Sequence, residues 1–305
     1  MRLVFAGTPA VAVPALDELA KGPHEIVAVI TRDDAALGRR RVLTPSPVAS
    51  AAMDRHLATI KANRLDASVT ERIADLRPDL GVIVAYGGLV REPLLSVPRY
   101  GWINLHFSLL PRWRGAAPVQ RALIAGDRVT GASVFQLVPE LDAGDVFAEA
   151  TRAIGPEETA GQVLDALAGI GAHLLARTVD AIGDGTALAS PQTGEPTLAP
   201  KLTIDDAHID LAGDGARAMD RIRGVTPEPG AFVMLAGQRF KILEARPALH
   251  ESALQAGRAA LRDKRVLVGT ATHPLELVTV QPAGKRPMPA PDWWRGLADA
   301  EVVFS

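Results

Sequence analysis

The chain has 305 residues, 48% of them apolar and 22% charged, so it can bury the cores of two modest domains and is too apolar to stay disordered. A formal net charge of -2 excludes a nucleic-acid partner held by overall charge and leaves only local basic clusters for such a role. With no cysteine, disulfides, thiolate catalysis and thiolate zinc sites are excluded; the seven histidines lack H-E-x-x-H spacing, and no metal is expected.

Residues 2–6 form a short apolar run, Gly7, Thr8 and Pro9 break it, and 11–20 follow a helical pattern, which is how an open α/β unit begins. The turn lacks G-x-G-x-x-G, which argues against a dinucleotide site. Pro9, Pro14, Asp17 and Glu18 interrupt the first apolar run before it can serve as a signal peptide. No apolar stretch reaches membrane-spanning length, so a cytoplasmic protein without membrane contact is expected. After a second strand at 25–31, residues 32–47 are too long and polar for a tight connection; Arg39, Arg40 and Arg41 read either as a solvated basic turn or as part of a functional loop. Helices are expected at 47–57 and 69–76, and a buried strand at 80–85. The glycines of Tyr86-Gly87-Gly88 end that strand, where they let a flat ligand approach the backbone or simply reverse the chain.

Residues 101–107 read as a strand entering a loop, and alternation places Asn104 and His106 on one face. An amide donor beside an imidazole suits a reaction in which negative charge develops on an oxygen; the plainer reading is a strand end satisfying its own backbone. The loop that follows, with Pro111, Arg112, Trp113, Arg114, Gly115 and Pro118, is rigid, cationic and hard to explain as packing. A helix at 116–125 and a β-rich run at 130–138 lead to Leu141-Asp142-Ala143-Gly144-Asp145. Asp142 is placed to return to the same sheet edge and pair with His106, where its charge would favour the protonated imidazole. Asp127, Glu140 and Asp145 are nearby acids that spacing alone does not exclude.

A strand at 146–154 and an amphipathic helix at 157–182 follow, with Leu164, Leu167, Ile170, Leu174 and Leu175 on the apolar side. Residues 183–200, rich in Gly, Pro, Thr and Ser, have the composition of a linker crossing a surface. Beyond Asp210, β-like runs at 231–235, 239–245, 265–269 and 275–281 suggest a small barrel. Trp293 and Trp294 near the end can stack on RNA, although packing on their own domain is the favoured reading.

Asn104, His106 and Asp142, with the run Ser108 to Pro118, resemble the signature of the formyltetrahydrofolate-dependent formyltransferases. From Phe5-Ala6-Gly7-Thr8-Pro9 to Gln281-Pro282-Ala283-Gly284-Lys285 the chain is similar to the members of that family that act on methionyl-tRNA. The resemblance implies an α/β chain: an open, Rossmann-like, mostly parallel sheet as catalytic domain over 1–185, a linker over 186–206, and a small OB-like β-barrel that supports tRNA over 207–305. It implies 10-formyltetrahydrofolate as co-substrate, bound near Val84, Ala85, Tyr86, Gly87, Ser108, Leu109, Leu110 and Pro111, and initiator methionyl-tRNA as partner of a monomeric enzyme. Arg39, Arg40, Arg41, Lys201, Lys285 and Arg286 become candidate tRNA contacts. Asn104 and His106 would stabilise an oxyanion, while Asp142 would orient or charge the histidine and assist proton removal from the amine. Two departures stand out: Phe107 occupies a position where the family often has glycine, and Arg40 replaces the second glycine of the Gly-Arg-Gly loop core. The rival readings are a sugar-nucleotide N-formyltransferase, which shares the trio, a glycinamide ribonucleotide formyltransferase, which would not need the C-terminal domain, and a non-catalytic tRNA- or folate-binding module.

Overall fold

A computed structural model describes residues 1–38, 41–297 and 302–305. Contacts divide the chain into two compact units, one of Met1–Pro118, Thr130–Arg152 and Leu164–Ala199, the other of Val119–Val129, Ala153–Val163 and Pro200–Ser305. No helix among the described residues is long and apolar enough to cross a membrane.

The first unit opens with β1 (Arg2–Gly7), α1 (Val13–Lys21) and β2 (Glu25–Thr31). Next come a hairpin of β3 (Ala35–Leu37) and β4 (Val42–Thr44), then α2 (Pro47–Asp54), β5 (Thr59–Lys61) and α3 (Ala67–Asp75). The helices begin where their caps say they should. Ser46 accepts from the Ala49 N–H ahead of Pro47, and Asp66 accepts from the Val69 N–H, each satisfying a donor the first helical turn leaves free. β6 (Leu80–Val84), β7 (Trp102–His106) and β8 (Arg114–Gly115) follow. β9 (Val129–Gln136), β10 (Val146–Ala153), most of helix α5 (Ala160–Gly183) and β11 (Leu198–Ala199) complete the run, while helix α4 (Pro118–Ile124) belongs to the second unit from Val119 onward.

Seven of these strands form one sheet in the order β10-β9-β7-β6-β1-β2-β5. The ladders from β7 to β5 are parallel, and β9 joins β7 antiparallel. β6 is buried along its whole length, as a strand covered on both faces must be, which is why it reads as an unbroken apolar run. The chain moves outward from β1 through β2 to β5 and returns on the other side of β1 with β6 and β7. The carboxyl ends of β1, β6 and β7 therefore lie side by side at the point where strand order reverses, with Gly7 opposite Val84 and Val84 opposite Leu105. The polar stretch 32–47 is not wholly irregular. Ala35, Ala36 and Leu37 pair with Thr44, Leu43 and Val42, and Val42 and Leu43 are exposed at 59% and 71%.

The second unit adds α6 (Gly215–Gly224), then β12 (Phe232–Leu235), β13 (Gln238–Pro247), β14 (Arg258–Arg262), β15 (Arg265–Val268) and β16 (Leu275–Gln281). β17 (Met288–Pro289), α7 (Ala290–Arg295) and β18 (Val302–Val303) end it. Its sheet is antiparallel, ordered β12-β13-β16-β15-β14-β18, with β17 on β16. Met234 and Ser305 exchange backbone hydrogen bonds of 2.6 and 3.0 Å. Helix α6 escapes a strand-oriented reading because charges dilute its apolar stripe; Asp214 caps it, and Ala218, Met219 and Ile222 form the buried face. Trp293 is 8% exposed and packs 4.6 Å from Phe240 and 6.0 Å from Phe304, so that ring belongs to the core.

One glycine in the parallel sheet is demanded by packing. A Cβ on Gly81 would lie 2.2 Å from the Trp102 indole, which is fully buried and donates its Nε1–H to the Leu94 carbonyl at 2.9 Å. Gly81→Ala should destabilise the protein by about 1–3 kcal/mol through overpacking, read as a lowered urea midpoint; an unchanged midpoint would contradict this packing.

Candidate active site

β7 delivers Asn104 and His106 to the same face, with Leu105 buried on the other. The ladder to β9 sets Asn104 opposite Phe135 and His106 opposite Ser133. The His106 ring is 7% exposed and stands edge-on to Phe135 at 6.4 Å. Its Nε2 lies 2.8 Å from the Trp113 carbonyl oxygen. A carbonyl can only accept, so Nε2 carries the proton, and in the neutral ring Nδ1 is a lone pair. That lone pair faces Asp142 Oδ2 at 3.9 Å, close enough for charge to act but beyond hydrogen-bond length.

Burial sets the protonation state. It pushes the His106 imidazole below its ordinary value, while the Asp142 charge and the Trp113 carbonyl pull the other way without prevailing. This corrects the sequence-based expectation of a protonated imidazole, which counted the carboxylate and not the loss of water around the ring. Asn104 is half-buried, and its amide makes no hydrogen bond to the protein among the described residues. One polar side chain on this face is thus left to bind something else.

Asp142 is held firmly. Its backbone is in the left-handed region, φ 46°, which aspartate tolerates better than most residues. Oδ2 accepts from the Gly115 N–H at 2.8 Å, and the Asp142 carbonyl accepts from Gln192 Nε2 at 2.8 Å. Gly115 itself has φ 125°, and a Cβ there would meet the Ala199 carbonyl at 2.8 Å.

The stretch read as a linker does more than connect. Leu198 and Ala199 pair in parallel with Arg114 and Gly115, the Trp113 N–H donates to Thr197 Oγ1 at 2.9 Å, and Ser190 pairs with Val146. Gln192 binds Arg114, Asp142 and Gly144 together. Sequence reasoning missed Gln192 and Thr197 because this strap has no apolar period; its only signal is a polar run too short of apolar residues to pack by itself.

The expected folate segment is brought to the sheet edge in part. Val84 is buried, whereas Ala85 and Gly87 are exposed with φ of 48° and 77°. Tyr86 points into the core, donating its hydroxyl to the Ala62 carbonyl at 2.7 Å, and burial raises its phenol pKa. Ala85 and Gly87, not the Tyr86 ring, are therefore what this segment exposes, and the Tyr86 carbonyl accepts from the Thr8 hydroxyl at 3.0 Å. The Gly87 carbonyl also accepts from the Arg32 guanidinium, a contact absent from the sequence-based reading.

Ser108 is 1% exposed and donates to the Arg112 carbonyl at 2.6 Å, so it shapes the loop. Leu110 and Pro111 are buried and Leu109 is half-buried. Phe107 is buried at 6% exposure. Among the expected tRNA contacts, Arg39 and Arg40 lie outside the described residues. Arg41 is exposed beside the β3–β4 hairpin, and Lys201, Lys285 and Arg286 are exposed on the second unit.

The chain that carries this edge, with a free amide, a neutral buried imidazole and a carboxylate behind it, matches known sequences over most of its length. The sequence model of the formyl transferase family matches residues 1–179, and that of the formyl transferase C-terminal domain matches 201–298. The chain belongs to the formyl transferase family. A protein named methionyl-tRNA formyltransferase from Leifsonia xyli subsp. xyli is 65% identical over 305 residues, the whole of both chains. One of the same name from Thermobifida fusca is 50% identical over 298 residues, 97% of this chain and 96% of its own. Among solved structures, the N-formyltransferase from Helicobacter canadensis in complex with folinic acid and dTDP-3-aminofucose aligns with a TM-score of 0.70 at 16% identity, over 90% of this chain and 98% of that one. HypX from Aquifex aeolicus in complex with tetrahydrofolic acid aligns with a TM-score of 0.63 at 17% identity, over 96% of this chain; this chain spans 46% of HypX. At such identities the likeness speaks for the fold.

The neutral state of His106 is directly measurable. Its NMR titration midpoint should fall below about 6.5, the ordinary imidazole value. In Asp142→Asn, which removes the charge favouring the imidazolium, it should fall further; a midpoint above 6.5 would mean that the carboxylate outweighs burial.

Proposed function

We propose that this protein transfers the formyl group of 10-formyltetrahydrofolate to the amino group of methionine esterified to initiator tRNA, giving N-formylmethionyl-tRNA. The observation that carries the reading is the unpartnered Asn104 amide on the same strand face as a neutral His106 whose free Nδ1 is turned to Asp142. The identity of 50–65% over nearly whole chains to proteins named methionyl-tRNA formyltransferase gives the acceptor.

The chemistry is acyl transfer. The methionine amine attacks the formyl carbon, and negative charge gathers on the formyl oxygen, which the Asn104 amide receives as a hydrogen-bond donor. The attacking nitrogen must then lose a proton. His106 Nδ1 is the base of choice because burial keeps it neutral, and the imidazolium so formed gains the Asp142 charge 3.9 Å away. In this protonated state His106 also supports the oxyanion electrostatically. Collapse breaks the bond from the formyl carbon to the folate nitrogen, which leaves as an amine after taking a proton from the imidazolium, and the ring returns to neutral. No covalent enzyme intermediate is required, and Ser108 is committed to the Arg112 carbonyl.

The segment 84–87, through its exposed Ala85 and Gly87, and the loop of 108–111 would line the folate pocket, the second with Leu109 as its least buried side chain. The exposed Arg41 with Arg39 and Arg40, and the exposed Lys201, Lys285 and Arg286, would meet tRNA phosphates. The exchange between Met234 and Ser305, which brings strand β12 to the chain end beyond β18, supports an OB-like barrel for the C-terminal part. The functional division we favour is catalysis over 1–185, a connection over 186–206 and tRNA support over 207–305, in a cytoplasmic monomer.

Release of tetrahydrofolate from 10-formyltetrahydrofolate, with charged initiator methionyl-tRNA or a nucleotide amino sugar as acceptor, tests the reading. Turnover with the tRNA alone is expected, and turnover with the sugar alone would overturn the acceptor assignment. Asn104→Ala should lower kcat by about 100-fold or more while KM for methionyl-tRNA stays near wild type; an unaffected kcat would remove Asn104 from the oxyanion role.

A further inference from the structure

Asp142 sits on a loop, and loops place carboxylates poorly unless something holds them. Here the Gly115 N–H holds the carboxylate itself, and the backbone that carries it is held by one side chain fifty residues later. Gln192 Oε1 accepts from Arg114 Nε at 3.1 Å and from Arg114 Nη2 at 2.6 Å. Its Nε2 donates to the Asp142 carbonyl at 2.8 Å and to the Gly144 carbonyl at 2.8 Å. Both lone pairs and both N–H groups of the amide are thus used, and the amide cannot be reversed, since that would aim its NH2 at a guanidinium and its oxygen at two carbonyls. Gln192 is half-buried although its neighbours Pro191 and Thr193 are exposed.

The strap that carries Gln192 is anchored at both ends. Ser190 exchanges backbone hydrogen bonds with Val146 at 2.8 and 3.0 Å, and Ala199 accepts from Ala116 at 2.9 Å. On the other side, the Asp142 loop is pressed against β9 at Gly144, where a Cβ would lie 1.8 Å from the Gln136 carbonyl. The peptide between these fixed points carries Asp142 with its left-handed φ of 46°, and the carbonyl bond to Gln192 sets how that peptide is turned. Turning the peptide moves the carboxylate relative to His106 Nδ1.

We propose that Gln192 is a positioning residue for formyl transfer, fixing the Asp142 carboxylate opposite His106 by clamping its loop to Arg114 of the signature loop. The inference rests on the formyl-transfer reading of Asp142 and extends it to the strap between residues 190 and 199. Gln192 touches no reacting atom. Its effect passes through Asp142, so its loss changes the rate of the bound complex and the titration of His106, not the affinity for either substrate.

The test compares Gln192→Ala, Gln192→Glu, Asp142→Asn and the double variant Gln192→Ala/Asp142→Asn, each first shown by thermal melting to be folded. Gln192→Glu keeps the acceptor facing Arg114 but sets an oxygen against the Asp142 and Gly144 carbonyls. Both Gln192 variants should lower kcat by about 10- to 100-fold with KM for 10-formyltetrahydrofolate and methionyl-tRNA within about twofold of wild type. The acid limb of kcat should move to lower pH, the direction expected when a carboxylate leaves an imidazole. In the Asp142→Asn background, Gln192→Ala should cost less than about twofold more, because its route of action is already gone. A Gln192→Ala enzyme with near wild-type kcat beside an impaired Asp142→Asn enzyme overturns the proposal alone, as does full multiplication of the two losses. Wild-type turnover in Asp142→Asn overturns the catalytic reading of Asp142 and the positioning role with it.

Discussion

The hydrogen bond from His106 Nε2 to the Trp113 carbonyl is the constraint on which the site depends. It ties the end of β7 to the loop that follows, selects the ring nitrogen that carries the proton, and turns the other toward Asp142. Burial then keeps the ring neutral, since removing water from an imidazolium costs more than one carboxylate at 3.9 Å returns. A base that is neutral at rest and gains a counter-ion only on protonation suits a step in which a proton is first taken and then handed on.

The remaining parts of the first unit keep that bond in place. The parallel sheet brings the ends of β1, β6 and β7 together where strand order reverses, an arrangement that supplies backbone for a flat ligand and side chains for chemistry from adjacent strands. The loop from Ser108 to Gly115 is closed from within by Ser108 on the Arg112 carbonyl and from outside by Thr197 on the Trp113 N–H. Trp113 is therefore held on both its donor and its acceptor side, with a left-handed φ of 63°. Loops built in this way are rigid enough to act as part of a catalytic surface.

What was legible in the sequence follows from physical range. β6 and the face shared by Asn104 and His106 are local: an unbroken apolar run and an alternation of two residues suffice to place them. The runs at 265–269 and 275–281, which become β15 and β16 of the antiparallel sheet, are visible for the same reason, whereas β14, with Ala259 and Ala260 between two arginines, carries too little apolar contrast to be seen. Long-range terms were not legible. Gln192 acts across 50 residues on Asp142 and 78 on Arg114, with no pattern in its own neighbourhood. The protonation state of His106 is not legible because the carboxylate can be named from sequence and the depth of burial cannot. Tyr86 likewise matched a motif, while its side chain answered to the core and the Ala62 carbonyl.

Whether His106 does chemistry or only holds the fold decides what this site is for. Formyl transfer should be followed in a single turnover with 10-formyltetrahydrofolate and methionyl-tRNA both saturating, in wild type and His106→Ala, with binding of each substrate measured separately. Retained binding with a transfer rate reduced by about 100-fold or more is the predicted result. A His106→Ala protein that binds both substrates and transfers the formyl group at the wild-type rate would contradict it.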